Sequence, residues 1–171
     1  MTDPAPPLVA RAHSVEDTRH IAAGIASLVE PGDLLLLIGD LGAGKTAFAG
    51  GLVHGLGVTE PVPSPTFALA REYHGRVPVA HLDVYRLDHL QEFYDLGIDD
   101  YLDGEWVLVV EWGDMVADAL PPDRLDVVLT HADPADPTTA DRRTIVFEPR
   151  GAWRTRRDRL AAALATRTDD R

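Results

Sequence analysis

The sequence predicts an α/β fold, a single domain built on a mixed β-sheet that is flanked by helices. Two continuous apolar runs of strand length, residues 33–38 and 106–110, have the pattern of strands that are buried on both faces. A glycine-rich loop directly follows the first run, and apolar residues at helical spacing follow the loop. With 171 residues and 45% hydrophobic composition, the chain is long enough for one core and does not require two domains.

Local signals define the N-terminal elements. Residues 1–7 contain three prolines and are predicted to be disordered, and a short strand is predicted over residues 8–12. Ser14 has the side chain of a helix N-cap, with two acidic residues in the turn that follows, and the predicted helix runs to about residue 29. The pair Pro31-Gly32 ends this helix and leads into the first apolar strand.

Helices and strands alternate after the glycine-rich loop. A helix is predicted over residues 45–56, and the segment 60–66 is predicted to be a surface loop because it is too rich in proline for a helix or a central strand. A helical region with a break near Gly97 spans residues 87–102. The remaining predicted strands are residues 67–73, 77–85, 125–130 and 144–147.

The glycine-rich loop of residues 39–46 carries the most specific motif in the chain. It reads Gly-Asp-Leu-Gly-Ala-Gly-Lys-Thr, which matches the pattern G-x-x-x-x-G-K-[ST] of a P-loop. Between a buried strand and a helix, the main-chain N–H groups of such a loop point at phosphate oxygens. The sequence therefore predicts a P-loop NTPase-like domain over residues 8–150. The residues predicted to bind the nucleotide are Leu41, Gly42, Ala43, Gly44, Lys45, Thr46 and Ala47.

Lys45 and Thr46 are predicted to bind the triphosphate and its metal ion. Lys45 is the only lysine among sixteen basic residues, so a sequence that otherwise uses arginine has a compact ammonium at this position. Lysine at this point of a P-loop gives a point charge to the outer phosphates, and the Thr46 hydroxyl is placed to ligate Mg²⁺. The predicted cofactors are ATP and Mg²⁺, although no motif in the sequence selects between ATP and GTP.

A P-loop enzyme also needs an acidic side chain that holds the metal shell or orients the attacking group. Glu111 directly follows the second apolar strand, and Asp83 lies in the predicted strand 77–85; the sequence does not decide which of them dominates metal binding. Thr66, in the proline-rich loop, is a candidate to place a hydroxyl near the terminal phosphate and to respond to its loss, as switch loops do. The predicted catalytic residues are Lys45, Thr66, Asp83 and Glu111, and the predicted metal ligands are Thr46, Asp83 and Glu111.

Charge distinguishes the C-terminal segment from the rest of the chain. The formal net charge of −12 argues against broad binding to a nucleic-acid backbone. Residues 151–171 are rich in arginine and are predicted to form a helix or tail, either a docking segment or a solvated amphipathic helix. No apolar stretch approaches the roughly 18 residues of a membrane span, and the N-terminus lacks the signal-peptide pattern, so the expected compartment is the cytoplasm. The absence of cysteine excludes disulfides, thiolate metal sites and a cysteine nucleophile.

Four motifs together resemble those of one family, the TsaE (YjeE) ATPases of tRNA threonylcarbamoyladenosine synthesis. They occur in the family's order, and the resemblance spans residues 14–128. The motifs are the loop 39–46 with Phe48, Ser64-Pro65-Thr66-Phe67, His81-Leu82-Asp83-Val84-Tyr85-Arg86-Leu87 and Glu111-Trp112. Ala47 stands where the family often has a second threonine, so only its main-chain N–H remains for a phosphate contact.

The resemblance implies a small domain that binds ATP with Mg²⁺, hydrolyses it slowly and acts on a complex of two partner proteins, TsaD and TsaB. It also implies that the partner performs the threonylcarbamoyl transfer and that tRNA is met only indirectly, through the complex. By the same resemblance Thr46 and Glu111 are the metal positions, Asp83 assists hydrolysis or the metal shell, and Val15 at the start of the first helix faces the adenine.

Two other functions remain open from the sequence. A small-molecule P-loop kinase needs an acceptor pocket and usually a mobile lid that bears arginine, and residues 87–103 contain neither arginine nor lysine. A nucleotide-gated adaptor, in which hydrolysis is incidental, would use the same phosphate loop. Hydrolysis without an acceptor separates the ATPase from the kinase, and loss of hydrolysis with retained function identifies the adaptor.

Overall fold

The computed structural model describes residues 6–133 and 135–165 of the chain. Within that part, one sheet contains β1 (Leu8–Ala12), β2 (Leu34–Ile38), β3 (Ala70–His74), β4 (Pro78–Asp83), β5 (Val107–Glu111), β6 (Leu125–His131) and β7 (Arg143–Pro149). The strand order across the sheet is β1-β7-β6-β2-β5-β4-β3. The middle four strands, β6, β2, β5 and β4, run parallel, and the outer strands pair antiparallel. The predicted α/β fold with a mixed sheet is confirmed.

Helices lie in every connection between consecutive strands except the short turn between β3 and β4. The α-helices are α1 (Val15–Ile25), α2 (Lys45–Gly55), α3 (Leu90–Asp95), α4 (Ile98–Leu102) and α5 (Arg157–Ala165). Short 3-10 helices lie at Ala26–Leu28, Gly113–Ala119, Pro137–Thr139 and Gly151–Arg156. In the parts of the chain that the structure describes, no helix combines the length and the apolar character that a membrane span requires.

Several predicted boundaries shift by a few residues. Ser14 is the N-cap of α1 as predicted, and its hydroxyl accepts a hydrogen bond from the Asp17 N–H at 3.0 Å. The helix ends earlier than predicted because a 3-10 turn replaces its last residues. Gly97 has a φ of +75°, a left-handed conformation that glycine adopts without strain, and it divides the predicted helical region into α3 and α4. Residues 67–69, predicted as strand, form a turn before β3.

The sheet has a hydrophobic core on each face. Leu35 and Leu37 of β2 belong to the cluster that includes α1, α2 and α5, whereas Leu34 and Leu36 belong to the cluster with α3, α4 and the 3-10 helix Gly113–Ala119. Successive side chains of a strand point to opposite faces, so a strand that is covered on both faces needs an unbroken apolar run. This burial explains the first apolar run in the sequence and fixes β2 in the middle of the sheet.

The described part of the Arg-rich C-terminal segment packs on the domain. Trp153 and Leu160 are fully buried in the core shared with α1 and α2. Arg156 forms a two-pronged ion pair with Asp33, both contacts at 2.7 Å, and also donates to the Leu28 carbonyl at 2.8 Å. This segment is therefore attached to the start of β2 through residue 165. Residues 166–171, together with residues 1–5 of the predicted disordered N-terminus, lie outside the described residues.

Candidate nucleotide-binding site

The candidate site lies where three parallel strands end. The glycine-rich loop of residues 39–46, the predicted phosphate loop, follows β2, Glu111 is the last residue of β5, and Asp83 is the last residue of β4. In the strand register Glu111 lies beside Leu37 on one side and beside Asp83 on the other. Because the carboxyl ends of parallel strands share one edge of a sheet, the topology brings the three predicted motifs together at the usual ligand-binding edge of such a fold.

The phosphate loop takes a conformation that suits glycine. Gly42 and Gly44 have φ values of +77° and +103°, and a side chain on Gly39 would place its Cβ 2.4 Å from the Leu129 carbonyl oxygen of β6. Helix α2 starts immediately afterwards, with Gly44 as its N-cap residue. Leu41 is 80% exposed, so the main chain of the loop rather than this side chain forms the cradle. The N–H groups at the start of α2 are consequently available to an anion.

Lys45 is held by the loop to which it belongs. Its Nζ donates to the Gly39 carbonyl at 2.6 Å and to the Asp40 carbonyl at 2.8 Å, and the residue is only 5% exposed. Burial lowers the pKa of Lys45, and four nearby carboxylates oppose this shift. The ammonium also lies 3.8 Å from the centre of the Trp112 ring. Trp112 reaches this position through a left-handed backbone with φ of +60°, directly after β5 ends.

Glu111 links the start of α2 to the neighbouring strand. The Thr46 hydroxyl lies 3.0 Å from each carboxylate oxygen of Glu111, and His81 Nε2 lies 2.8 Å from one of them. His81 is fully buried and its Nδ1 has no hydrogen-bond partner. With Nε2 as the donor, Nδ1 carries a lone pair rather than a proton, which is the less costly group to bury unpaired. The buried His81 ring therefore holds the Glu111 carboxylate in place.

The Thr46 and Glu111 oxygens fit a Mg²⁺ ion. Neighbouring ligands of an octahedral Mg²⁺, each at about 2.0–2.1 Å, are roughly 2.9 Å apart, close to the 3.0 Å between these oxygens. Both are hard oxygen donors, as Mg²⁺ requires. In the described ranges no cluster of three His, Asp or Glu side chains would hold a metal alone. Nucleotide sites need no such cluster, because phosphates and water complete the metal shell.

Asp83 joins the site to the proline-rich loop. It accepts from the Thr66 hydroxyl at 2.9 Å and from the Tyr85 N–H at 3.0 Å, so each of its oxygens has a protein partner. Thr66 Oγ1 is also 2.5 Å from Ser64 Oγ. The next residue, Phe67, is among the most exposed large apolar side chains of the described chain. The Thr66 hydroxyl is thus held by Asp83 at the end of β4 and by Ser64 of its own loop, whose surface faces solvent.

Comparison with known proteins identifies the family. A family model described as threonylcarbamoyl adenosine biosynthesis protein TsaE matches residues 12–143. The chain belongs to the TsaE family. This confirms the resemblance that the four motifs predicted.

Curated TsaE proteins cover most of the chain. Identity is 47% over 118 residues with the tRNA threonylcarbamoyladenosine biosynthesis protein TsaE of Bacillus subtilis (strain 168), which covers 68% of this chain and 73% of that protein. The protein of the same name from Streptomyces coelicolor is 43% identical over 118 residues, which cover 67% of this chain and 79% of that protein. A solved structure, the crystal structure of Bacillus subtilis YdiB, superposes with a TM-score of 0.76 at 36% identity and covers 98% of this chain and all of that one.

The first turns of α1 lie against the phosphate loop of this TsaE-family chain. The Thr18 methyl group is 3.8 Å from the position that a Cβ on Gly44 would occupy. Val15, the first residue of α1, precedes Thr18 by three residues and is 38% exposed. Ala47, in the first turn of α2, is half-buried. The contacts of Val15 with adenine and of Ala47 with phosphate remain predictions.

Two side chains of the TsaE-family site were not predicted from the sequence. His81 had no predicted role of its own, yet its Nε2 contacts the Glu111 carboxylate; because it precedes Asp83 by two residues on a strand, the two-residue period already placed both on one face. Arg143 was not singled out. It lies on β7 and donates to two carbonyls of the phosphate loop across a hundred residues of sequence, a contact for which the sequence carries no signal.

Proposed function

We propose that this chain binds ATP with Mg²⁺ and hydrolyses it, as a component required for forming threonylcarbamoyladenosine in tRNA. One observation carries the proposal. At the carboxyl edge of the sheet, the hydroxyl of Thr46 in the glycine-rich loop lies 3.0 Å from both carboxylate oxygens of Glu111. The role in tRNA modification comes from the family, whose relatives are named tRNA threonylcarbamoyladenosine biosynthesis proteins.

In this proposal the residues described above bind the triphosphate and its metal ion. Lys45 exchanges the Gly39 and Asp40 carbonyls for phosphate oxygens, which a flexible ammonium can do at little cost because both kinds of partner are oxygen acceptors. Thr46 and Glu111 would hold Mg²⁺. The metal, when bound, supplies positive charge that neutralises the outer phosphates during transfer to water.

Asp83 and Thr66 would report the state of the nucleotide. The Thr66 hydroxyl is tied to Asp83 at 2.9 Å and lies on a loop that ends in exposed Phe67. A terminal phosphate that competes for this hydroxyl would draw the loop toward the nucleotide, and its loss would return the hydroxyl to Asp83. The exposed part of the loop is then the surface that changes with hydrolysis.

The proposed partners are homologues of TsaD and TsaB, with the threonylcarbamoyl transfer performed by the partner. The net charge of −12 favours a protein that meets tRNA through a complex rather than alone. Hydrolysis by the isolated chain is expected to be slow. Residues 87–103 contain no arginine or lysine and so offer no arginine-bearing lid. This favours the ATPase over the small-molecule kinase.

The test is a comparison of tRNA nucleosides and ATP hydrolysis in matched variants. Depleting the protein is expected to lower threonylcarbamoyladenosine in total tRNA, and unchanged levels would refute the family role for this chain. Lys45→Ala is expected to lose nucleotide binding, whereas Glu111→Gln is expected to bind ATP and lose Mg²⁺-dependent hydrolysis. Glu105→Gln, an exposed acidic residue on the turn before β5, is the matched control. Full modification activity in a Glu111→Gln protein that no longer hydrolyses ATP would instead identify a nucleotide-gated adaptor.

A further inference from the structure

Arg143 supports the phosphate loop from the side of the sheet. It is the first residue of β7 and is 8% exposed. Its Nε donates to the Ala43 carbonyl at 2.9 Å, and its Nη2 donates to the Gly42 carbonyl at 3.0 Å. We infer that Arg143 is a positioning residue for nucleotide binding, which presets the main chain of the phosphate loop and adds a second buried cation to the anion site. This inference rests on the proposed nucleotide binding.

Among the described residues, all the hydrogen-bond partners of the guanidinium are main-chain oxygens. Its Nη1 donates to the Arg142 carbonyl at 2.9 Å and also to the Ala140 carbonyl, so the fork joins the phosphate loop to the connection between β6 and β7. The planar fork of arginine holds two acceptors at fixed angles, which an ammonium does not. The loop carbonyls at Gly42 and Ala43 are therefore fixed in direction as well as satisfied.

Fixing these carbonyls also orients the N–H groups of the loop. In a planar trans peptide the N–H points away from the C=O of the same unit, so the Ala43 carbonyl that faces Arg143 directs the Gly44 N–H to the opposite side. Gly44 is the N-cap residue of α2, where main-chain N–H groups receive phosphate oxygens. Arg143 thus prepares the loop for an anion before the anion binds, and this lowers the ordering cost of binding.

The positive charge of Arg143 has no ionic partner among the described residues. Two other arginines, whose side chains are 11% and 12% exposed, are paired, Arg124 with Asp126 at 2.8 Å and Arg156 with Asp33 at 2.7 Å. A buried charge is costly unless an opposite charge or several dipoles compensate it. Lys45 is likewise buried against carbonyls of this loop, although carboxylates, Glu111 and Asp83 among them, lie near its ammonium. Both cations are placed to receive the negative charge that phosphates bring.

A residue that acts through the loop main chain should affect binding rather than chemistry. The loop geometry is needed equally in the bound ground state and in the transition state, so its loss raises the dissociation constant and leaves the turnover rate at saturation nearly unchanged. Loss of charge-assisted hydrogen bonds to two carbonyls predicts at least about tenfold weaker binding of both ATP and ADP.

The experiment compares Arg143→Gln, Arg143→Lys and Arg142→Ala with the unmodified chain. Arg142 is the exposed neighbour of Arg143 and carries the same charge, which makes it the matched control. Dissociation constants for ATP and ADP with Mg²⁺ are measured by calorimetry, and turnover is measured at saturating ATP. Amide hydrogen exchange over residues 42–45 without nucleotide gives a readout that does not depend on binding, and thermal unfolding verifies that each variant is folded.

We expect Arg143→Gln to bind both nucleotides at least about tenfold more weakly, with faster exchange in the loop and an unchanged turnover rate. Arg143→Lys should fall between Arg143→Gln and the unmodified chain because it keeps the charge but not the fork. Nucleotide affinities of folded Arg143→Gln within twofold of the control, or a loss confined to turnover, would overturn the inference. If Arg143→Gln does not fold, Arg143→Lys decides alone by the same criteria. An unmodified chain that binds neither nucleotide would overturn the proposed function instead, and the exchange experiment would still test the loop.

Discussion

Replacing Gly51 with alanine is expected to destabilise the protein, although alanine is the best helix former and Gly51 lies inside α2. A Cβ on Gly51 would lie 2.2 Å from the Arg19 carbonyl oxygen and 2.6 Å from the Arg19 Cα on α1. The preceding residue supplies the control. A Cβ on Gly50, also buried in α2, would meet nothing closer than the Val62 Cβ at 3.8 Å, an ordinary contact.

The expected change in unfolding free energy follows from the nearest contact of each Cβ, 2.2 Å for Gly51 and 3.8 Å for Gly50. In both variants alanine favours the helix by about 0.8–1 kcal/mol over glycine. A carbon–oxygen contact needs about 3.3 Å, so α1 must move by roughly 1 Å in the Gly51 variant, against main chain that cannot rotate away. Such overpacking costs about 3 kcal/mol, the upper end of its usual range. We expect Gly51→Ala to lose about 2 kcal/mol of unfolding free energy and Gly50→Ala to gain up to about 1 kcal/mol.

Urea denaturation followed by circular dichroism measures both free energies, and equal slopes with urea verify that the same surface is exposed in each case. Because α2 begins at Lys45, a shift between α1 and α2 should also weaken ATP binding in Gly51→Ala but not in Gly50→Ala. A Gly51→Ala protein as stable as Gly50→Ala would refute the reasoning, since it would mean that α1 and α2 are not in contact through main chain at this point.

Three further predictions concern the ion pair at the start of β2, the alkaline limit of stability and the metal site. Arg156→Ala is expected to lower the unfolding free energy by about 3 kcal/mol because it leaves Asp33 buried without its guanidinium, and adding Asp33→Asn should recover part of that loss in urea denaturation. Burial and the hydrogen bond to Glu72 raise the pKa of Tyr101 to about 12, above the value of about 10 in an unfolded chain. The unfolded state therefore loses its proton first, so this contribution to stability is complete below about pH 10 and is lost as the pH rises through 12; in Tyr101→Phe that part of the alkaline decline should be absent from denaturation curves measured across this range. Thr46→Val is expected to leave Mg²⁺-free ATP binding unchanged and to remove most of the tightening by Mg²⁺, as measured by calorimetry; equal tightening in both proteins would show that the hydroxyl is not a metal ligand.

The elements that the sequence predicted well depend on short-range patterns. The run 33–38, the loop after it and the helix that begins at Lys45 form one continuous signal, because burial on both faces, glycine conformation and helical spacing are all local properties. The same reasoning placed Glu111 directly after a strand and Asp83 within the predicted strand 77–85, and in the structure both are the last residues of their strands. Their proximity then followed from a general rule, that the carboxyl ends of parallel strands share an edge of the sheet.

Element boundaries were less accurate, for a physical reason. Residues 67–69 are apolar, as in a buried strand, but Leu69 adopts a left-handed backbone with φ of +63° and its carbonyl accepts from the Asp83 N–H. This turn is continuous with the loop that carries Thr66, and the Leu69 N–H donates to the Pro65 carbonyl of that loop. Propensity does not reveal such a turn, because a tertiary contact outweighs the small local preference for a strand.

The sequence by itself determined the α/β class, the glycine-rich loop and the four motifs of the TsaE family, since each is encoded in neighbouring residues. Only the tertiary structure decided which distant side chains complete the site. Arg143 reaches the loop from β7, and Arg156 ties the C-terminal segment to Asp33. Both are unremarkable arginines in an Arg-rich sequence, and their roles depend on burial and on the carbonyls or carboxylates that folding places beside them, which no pattern of neighbouring residues specifies.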